Sequence, residues 1–169
     1  MKQIIYMALA ASLLCSCKKS STSSPTPSPS PSIPTDGWKL GTTSYKQVYC
    51  LRQTGQFALN CVDATTGNIH SFAAFFKAYP TASGTYHIVK LVVDSTSTYP
   101  GVNIGDHDVI VTGSIPNGSG GSNGYWSIGT EGKDATVTIT GGKMKIEVPE
   151  VSVVYNTDTL KLTGTMVEN

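Results

Sequence analysis

Charge is scarce in this chain: 14% of its 169 residues are Asp, Glu, Lys or Arg, and the formal net charge is +1. Three of the cations, Lys2, Lys18 and Lys19, sit near the start. From Asp36 to Asn169 there are nine basic and eleven acidic residues, a net charge of −2. A domain so near neutrality offers no basic patch to nucleic acid. Histidine is scarce too, with only His70, His87 and His107. A zinc site built from them would need three separated strands to converge. His-Glu-x-x-His, a phosphate-binding loop and Cys-x-x-Cys are all missing. Their absence removes the usual signatures of a zinc protease, a nucleotide site and a thiol-redox centre. Nor is there an apolar run of the roughly 20 residues that a membrane-spanning helix needs.

What is present begins with a short leader. Lys2 is followed by apolar and small residues from Ile4 to Leu14, then by Ser16 and Cys17. That is the order of a cleaved secretory signal. Leu14-Cys15-Ser16-Cys17 resembles the lipobox of bacterial lipoproteins, Leu-x-Ser/Ala/Gly-Cys, with Leu14 at −3 and Ser16 at −1. Cys15 fits less well as the modified residue, because Leu14 would then occupy the position that wants a small side chain. The resemblance implies a signal peptide over 1–16, diacylglycerol on the Cys17 sulfur, and acylation of the new N-terminus, palmitate being a common chain. Several acyl chains hold firmly, since each buried CH₂ contributes about 0.8 kcal/mol. Lys18 follows the cysteine where an Asp would signal retention at the inner membrane. The implied address is therefore the outer membrane of a Gram-negative envelope.

Residues 17–35 read as a tether. Ser20 to Pro34 is almost entirely Ser, Thr and Pro, with proline at 25, 27, 29, 31 and 34. Such a segment has little to bury and favours an extended polyproline-like spacer. At about 3.1 Å per residue it reaches roughly 45 Å when fully extended.

Residues 36–169 form a single domain of strands. Apolar runs are short, rich in Val, Ile, Thr and Tyr, and bounded by Gly, Pro, Asn or Asp. The expected strands run over 38–40, 45–52, 56–63, 68–78, 85–93 and 108–115, followed by two hairpins. In 68–78, Phe72, Phe75, Phe76 and Tyr79 also fit a helix; the short aromatic run and Pro80 favour a strand. A loop at Gly141-Gly142 pairs Ile139 with Met144 and Val137 with Ile146. It sets Thr138 against Lys145 and Thr136 against Glu147, so apolar meets apolar on one face. A last hairpin, 151–155 with 159–167, turns at Thr157-Asp158. About nine strands in all point to an antiparallel β-sandwich or a partly closed, lipocalin-like barrel.

Chemistry-bearing residues are few. Cys50 and Cys61 remain after leader cleavage, and an even pair in an oxidising envelope suggests a disulfide. They are symmetric about Gly55-Gln56. A strict two-residue loop there would leave them at a hydrogen-bonded position, where side chains sit farther apart; two separate buried thiols are the alternative. Asp106 and Asp108 flank His107 beside the 101–105 loop and make the best candidate for a calcium site of oxygen ligands. Tyr99, Tyr125 and Trp126 flank the loops richest in Gly and Asn. Aromatic faces beside amides and carboxylates are suited to sugars, the alternative being plain packing at a sheet edge. Asp94-Ser95-Thr96 and Asp158-Thr159-Leu160 resemble an O-glycosylation site of some Gram-negative envelope proteins.

Ser83-Gly84-Thr85-Tyr86 and the Leu160–Thr165 close are similar to stretches of small all-β envelope lipoproteins of unassigned function. The expected function is a lipid-anchored, non-enzymatic β domain that binds a glycan or an envelope protein. A barrel holding a small apolar ligand among Phe72, Phe75 and Phe76 is the alternative. A hydrolase drawing on carboxylates such as Asp63, Asp94, Asp106 and Asp108 is a third reading.

Overall fold

A computed structural model describes residues 32–63, 69–92 and 104–169. The signal peptide, Cys17, most of the tether, Tyr99 and the Asp94-Ser95-Thr96 triplet lie outside the described residues. Those described are all-β, with eleven strands and no helix among them. The strands are β1 (Gly37–Leu40), β2 (Thr43–Lys46), β3 (Tyr49–Gln53), β4 (Ala58–Asp63), β5 (His70–Phe75) and β6 (Gly84–Ile88). They continue as β7 (Asp108–Pro116), β8 (Ser122–Ser127), β9 (Asp134–Thr140), β10 (Lys143–Tyr155) and β11 (Asp158–Val167). All belong to one sheet in the order β2-β1-β11-β10-β9-β6-β7-β5-β4-β3, with β8 bridging β10 and β7. The sheet curls partway into a ring. It is mixed rather than purely antiparallel, because β6 and β7 run parallel.

The β9–β10 hairpin has the register expected from its sequence, Ile139 to Met144 and Val137 to Ile146. Gly141 and Gly142 both take positive φ, as a two-residue hairpin turn requires. The β10–β11 turn falls one residue earlier than expected, with Tyr155 facing Asp158. Asn156 takes φ 53° there, a conformation that Asn tolerates and β-branched Thr does not. β10 is also one long strand where two were expected. It is interrupted by a bulge between Val148 and Val151. Pro149 has no N–H for a ladder, and the inserted residue keeps Met144, Ile146, Val148, Val151 and Val153 all facing the core. The bulge also marks a change of neighbour, from β9 before it to β8 after it.

Other boundaries moved. The expected 45–52 strand breaks at Gln47-Val48. Both backbone groups of Val167 bond to the Gln47 side-chain amide there, and the chain passes from pairing with β1 to pairing with β4. The 85–93 strand stops at Ile88, after which Val89 and Leu91 turn toward a second apolar cluster. Residues 70–75 form a strand and not a helix, with Phe72 and Phe75 on opposite faces. β8 was not expected at all.

The inner core is filled by side chains. Trp38, Leu59, Phe72, Met144, Ile146, Leu162 and Met166 are fully buried. Trp38 stacks on Tyr45 at 5.4 Å and meets Phe72 at 5.9 Å. The vacant interior that an apolar ligand would require is occupied by these groups. A smaller cluster of Ala58, Ala73, Phe75, Ile104 and Ile110 covers part of the other face of β4, β5 and β7.

The two limbs of the curl meet where β3 approaches the end of β11. Asn169 N–H donates to the Cys50 carbonyl at 3.0 Å and Cys50 N–H to Asn169 Oδ1 at 2.6 Å. Arg52 pairs with Glu168 at 2.9 Å. Cys50 and Cys61 form a disulfide across β3 and β4. The turn spans Thr54 to Phe57, longer than two residues, and Cys50 directs both backbone groups away from β4. The pair thus occupies the non-hydrogen-bonded position, where Cα atoms are close enough to bridge.

Trp38 lies opposite Gly164. A Cβ on Gly164 would come within 2.5 Å of Trp38 Cβ and 2.7 Å of the Gly37 carbonyl oxygen. Gly164→Ala is expected to destabilise the fold by about 2–4 kcal/mol, because backbone rather than a movable side chain blocks the methyl. Urea unfolding measures this, and an unchanged midpoint contradicts it.

Candidate functional site

Beyond the second cluster, the outer face of β4, β5, β7 and β8 is left concave. Alternation puts one residue in two on this face, and registry aligns them in rows. One row runs Val62–Ser71–Ser114–Gly124 and the next Asn60–Ala73–Thr112–Trp126. Most of these side chains are small or absent, and the result is a trough of about 510 Å³. That is within the roughly 300–1,000 Å³ of small-molecule sites. Asn60, Val62, Ser71, Ser114, Pro116 and Ser122 line it along the strands.

Ile69 and the loop after β7 form its end. Asn117 shapes that loop: its Oδ1 accepts from the backbone N–H of Ser119 at 3.0 Å and of Gly121 at 3.2 Å. Gly118 and Gly120 supply the positive φ values the turn needs. Ser71 and Ser114 share a hydroxyl–hydroxyl hydrogen bond of 2.6 Å across the floor. Asn60 Oδ1 is shielded from solvent and has no hydrogen-bond partner among the described residues. Such an unmet acceptor costs about 1–3 kcal/mol, and being shielded it is out of a ligand's reach unless the Asn60 amide turns.

The structure separates the expected aromatic pair. Trp126 is half-buried on the trough side, 5.5 Å from Phe75. A Cβ on Gly124 would meet its Nε1 at 3.2 Å, so the indole leans over that bare strand position. Tyr125 points the opposite way into the core, and its hydroxyl donates to Asp158 at 2.7 Å. That carboxylate holds the Tyr125 phenol above its usual range, and burial adds to the effect. Neighbours in a strand face opposite sides, so Tyr125 and Trp126 make no common platform.

The expected calcium ligands have other partners. Asp106 is exposed and pairs with Lys77 at 2.9 Å, a hydrogen-bonded ion pair that lowers its pKa. Asp108 Oδ2 accepts the Gly105 N–H at 2.8 Å and so closes its own turn. Among the described residues, no three His, Cys, Asp or Glu side chains converge on a metal position. His87 is exposed and bonds Asp134, while the His70 ring lies tilted against Tyr45 at 4.5 Å.

Sequence reasoning missed a polar knot beside β10. Glu131 Oε1 accepts from the Ser152 hydroxyl and from Lys161 at 3.1 Å, while Lys161 also donates to Ser152 Oγ at 2.7 Å. A Ser–Lys contact invites a nucleophile reading. The Ser152 hydrogen bond, then Lys161, hold Glu131 down to about 2, far from the pKa of a base working near neutrality. The knot is instead a latch joining the segment before β9 to β10 and β11. It also missed the trough floor, because Asn60, Ser71 and Ser114 read as ordinary outward-facing strand residues. Nothing in their spacing signals that the face is hollow.

The depressed Glu131 pKa adds stability above its ordinary value of 4.5, and this is lost as pH falls toward about 2. With solvent screening of a partly exposed group, the contribution is roughly 1–2 kcal/mol. Glu131→Gln is expected to lose that amount at neutral pH and to show a shallower loss than wild type between those two pH values. Denaturant titrations at several pH values check it, and parallel curves contradict it. No protein-family model, curated protein or solved structure matches this chain.

Proposed function

We propose that this protein is a lipoprotein of a Gram-negative envelope, held at the outer membrane through Cys17. In this reading its β domain is a non-enzymatic module that binds a glycan at the trough on β4, β5, β7 and β8. The leader and lipobox residues support the anchor. The trough supports binding: its floor offers the Ser71–Ser114 hydroxyl pair and the Asn60 amide, and Trp126 leans over Gly124 at one side. A protein partner is the second reading, favoured by the exposed apolar side chains of Val48, Tyr49 and Leu51 on and beside β3. The filled core weighs against an interior apolar ligand.

Two experiments test this. Expressed with labelled palmitate in a Gram-negative host, the full chain is expected to take up label and sediment with membranes. Cys17→Ser should lose both, and label that persists in the variant overturns the anchor. For binding, full chain in detergent is immobilised and exposed to envelope extract. Ser114→Trp, which fills the trough, is expected to reduce recovered carbohydrate at least fivefold at an unchanged melting temperature. Equal recovery overturns the trough as the binding site.

A further inference from the structure

We infer that the ligand of the trough is an uncharged glycan, recognised through its hydroxyls and the apolar faces of its rings; this rests on the trough being a binding site at all. Among the described residues that line it, none is Asp, Glu, Lys, Arg or His. Anionic sugars and phosphorylated or sulfated headgroups are usually held by arginine forks or lysine, and cationic ones by carboxylates. A charged group would find no opposite charge among these residues, whereas a neutral ligand needs none.

What the trough does offer matches a polyhydroxyl ring. Ser71 and Ser114 each carry one donor and two acceptor lone pairs. Their mutual bond uses one proton, leaving a second hydroxyl proton and lone pairs for the ligand. Asn60 lines the same hollow, although its Oδ1 is shielded and meets a ligand only if the amide turns. These polar groups occupy neighbouring strands and therefore sit side by side, as vicinal sugar hydroxyls do. Val62, Ile69 and Pro116 supply apolar surface in the same hollow, suited to the C–H face of a ring.

The site also disfavours a peptide. Peptides commonly add to a sheet by pairing with an unpaired edge. β5 and β7 each have a partner on both sides, and β4 lies between β3 and β5. Their backbone groups are taken, so along these three strands a ligand meets side chains, and only the loop glycines Gly118, Gly120 and Gly121 offer backbone at the trough's end. The sharply turned, Asn117-held loop already has its shape without ligand, which reduces the ordering that binding requires.

The test uses full chain in detergent on a sensor surface. The probes are neutral polysaccharides (a linear glucan, a mannan and a galactan), polyanions (polygalacturonate and heparin) and cationic chitosan. At least one neutral probe should bind, with every charged probe at least tenfold weaker. Ser114→Trp should raise the neutral dissociation constant at least tenfold with melting unchanged. Ser122→Tyr, a substitution at the exposed rim, should do the same should Ser114→Trp not fold.

A charged probe binding best overturns the inference, as does neutral binding indifferent to both variants. If no neutral probe binds but carbohydrate capture from envelope extract still depends on Ser114, the uncharged ligand class falls and the trough stands. If capture is also indifferent to Ser114→Trp, both fall.

Discussion

Trp38 lying on the bare backbone of Gly164 is the contact on which the rest of the fold depends. β11 has β10 on one side and β1 on the other, and β1 can approach only because position 164 carries no side chain. That approach seats the Trp38 indole between Tyr45 and Phe72. Phe72 in turn faces Gly113, and the space there is taken by Leu40 and Leu162. Two glycines thus admit the largest side chains of the core. With few charges available, stability must come from such burial, the dominant favourable term in folding.

The same economy shapes the outer face. β4, β5 and β7 are interior strands whose outer side chains are apolar at one end, around Phe75 and Ile110, and small at the other. β8 lengthens the small-residue end by pairing with β7. It can do so because the Pro149 bulge lets β10 leave β9 and take β8 as its neighbour. The trough is therefore a consequence of chain routing. Glu131, Ser152 and Lys161 tie the segment that follows β8 to the strands behind it.

How much of this could be read beforehand depended on whether the signal was local. The Gly141-Gly142 hairpin was legible to the residue, since turn chemistry and alternation agree there. The Asn156 turn was missed by one position because Thr157-Asp158 looked equally turn-like without φ information. β8 was invisible: Ser122-Asn123-Gly124-Tyr125-Trp126-Ser127 has two apolar residues and the composition of a loop. Its strand character comes from pairing on both sides, which is a tertiary fact. The same distinction governs the site. Trp126 was visible as an aromatic, but its separation from Tyr125 follows from strand direction. Asn60, Ser71 and Ser114 meet only because three distant segments pair in one register. The Asp106 and Asp108 carboxylates looked available until Lys77 and the Gly105 N–H were seen to engage them.

The account rests on the outer sheet face, and not the loop tips or the core, meeting the ligand. Amide chemical-shift mapping addresses this most directly. Full chain in detergent would be titrated with a linear neutral oligosaccharide. The account predicts saturable shifts centred on Asn60, Ser71, Ser114 and Ser122, with the β9–β10 turn unmoved. Shifts centred on Val48 to Leu51, or none anywhere at saturating sugar, would contradict it.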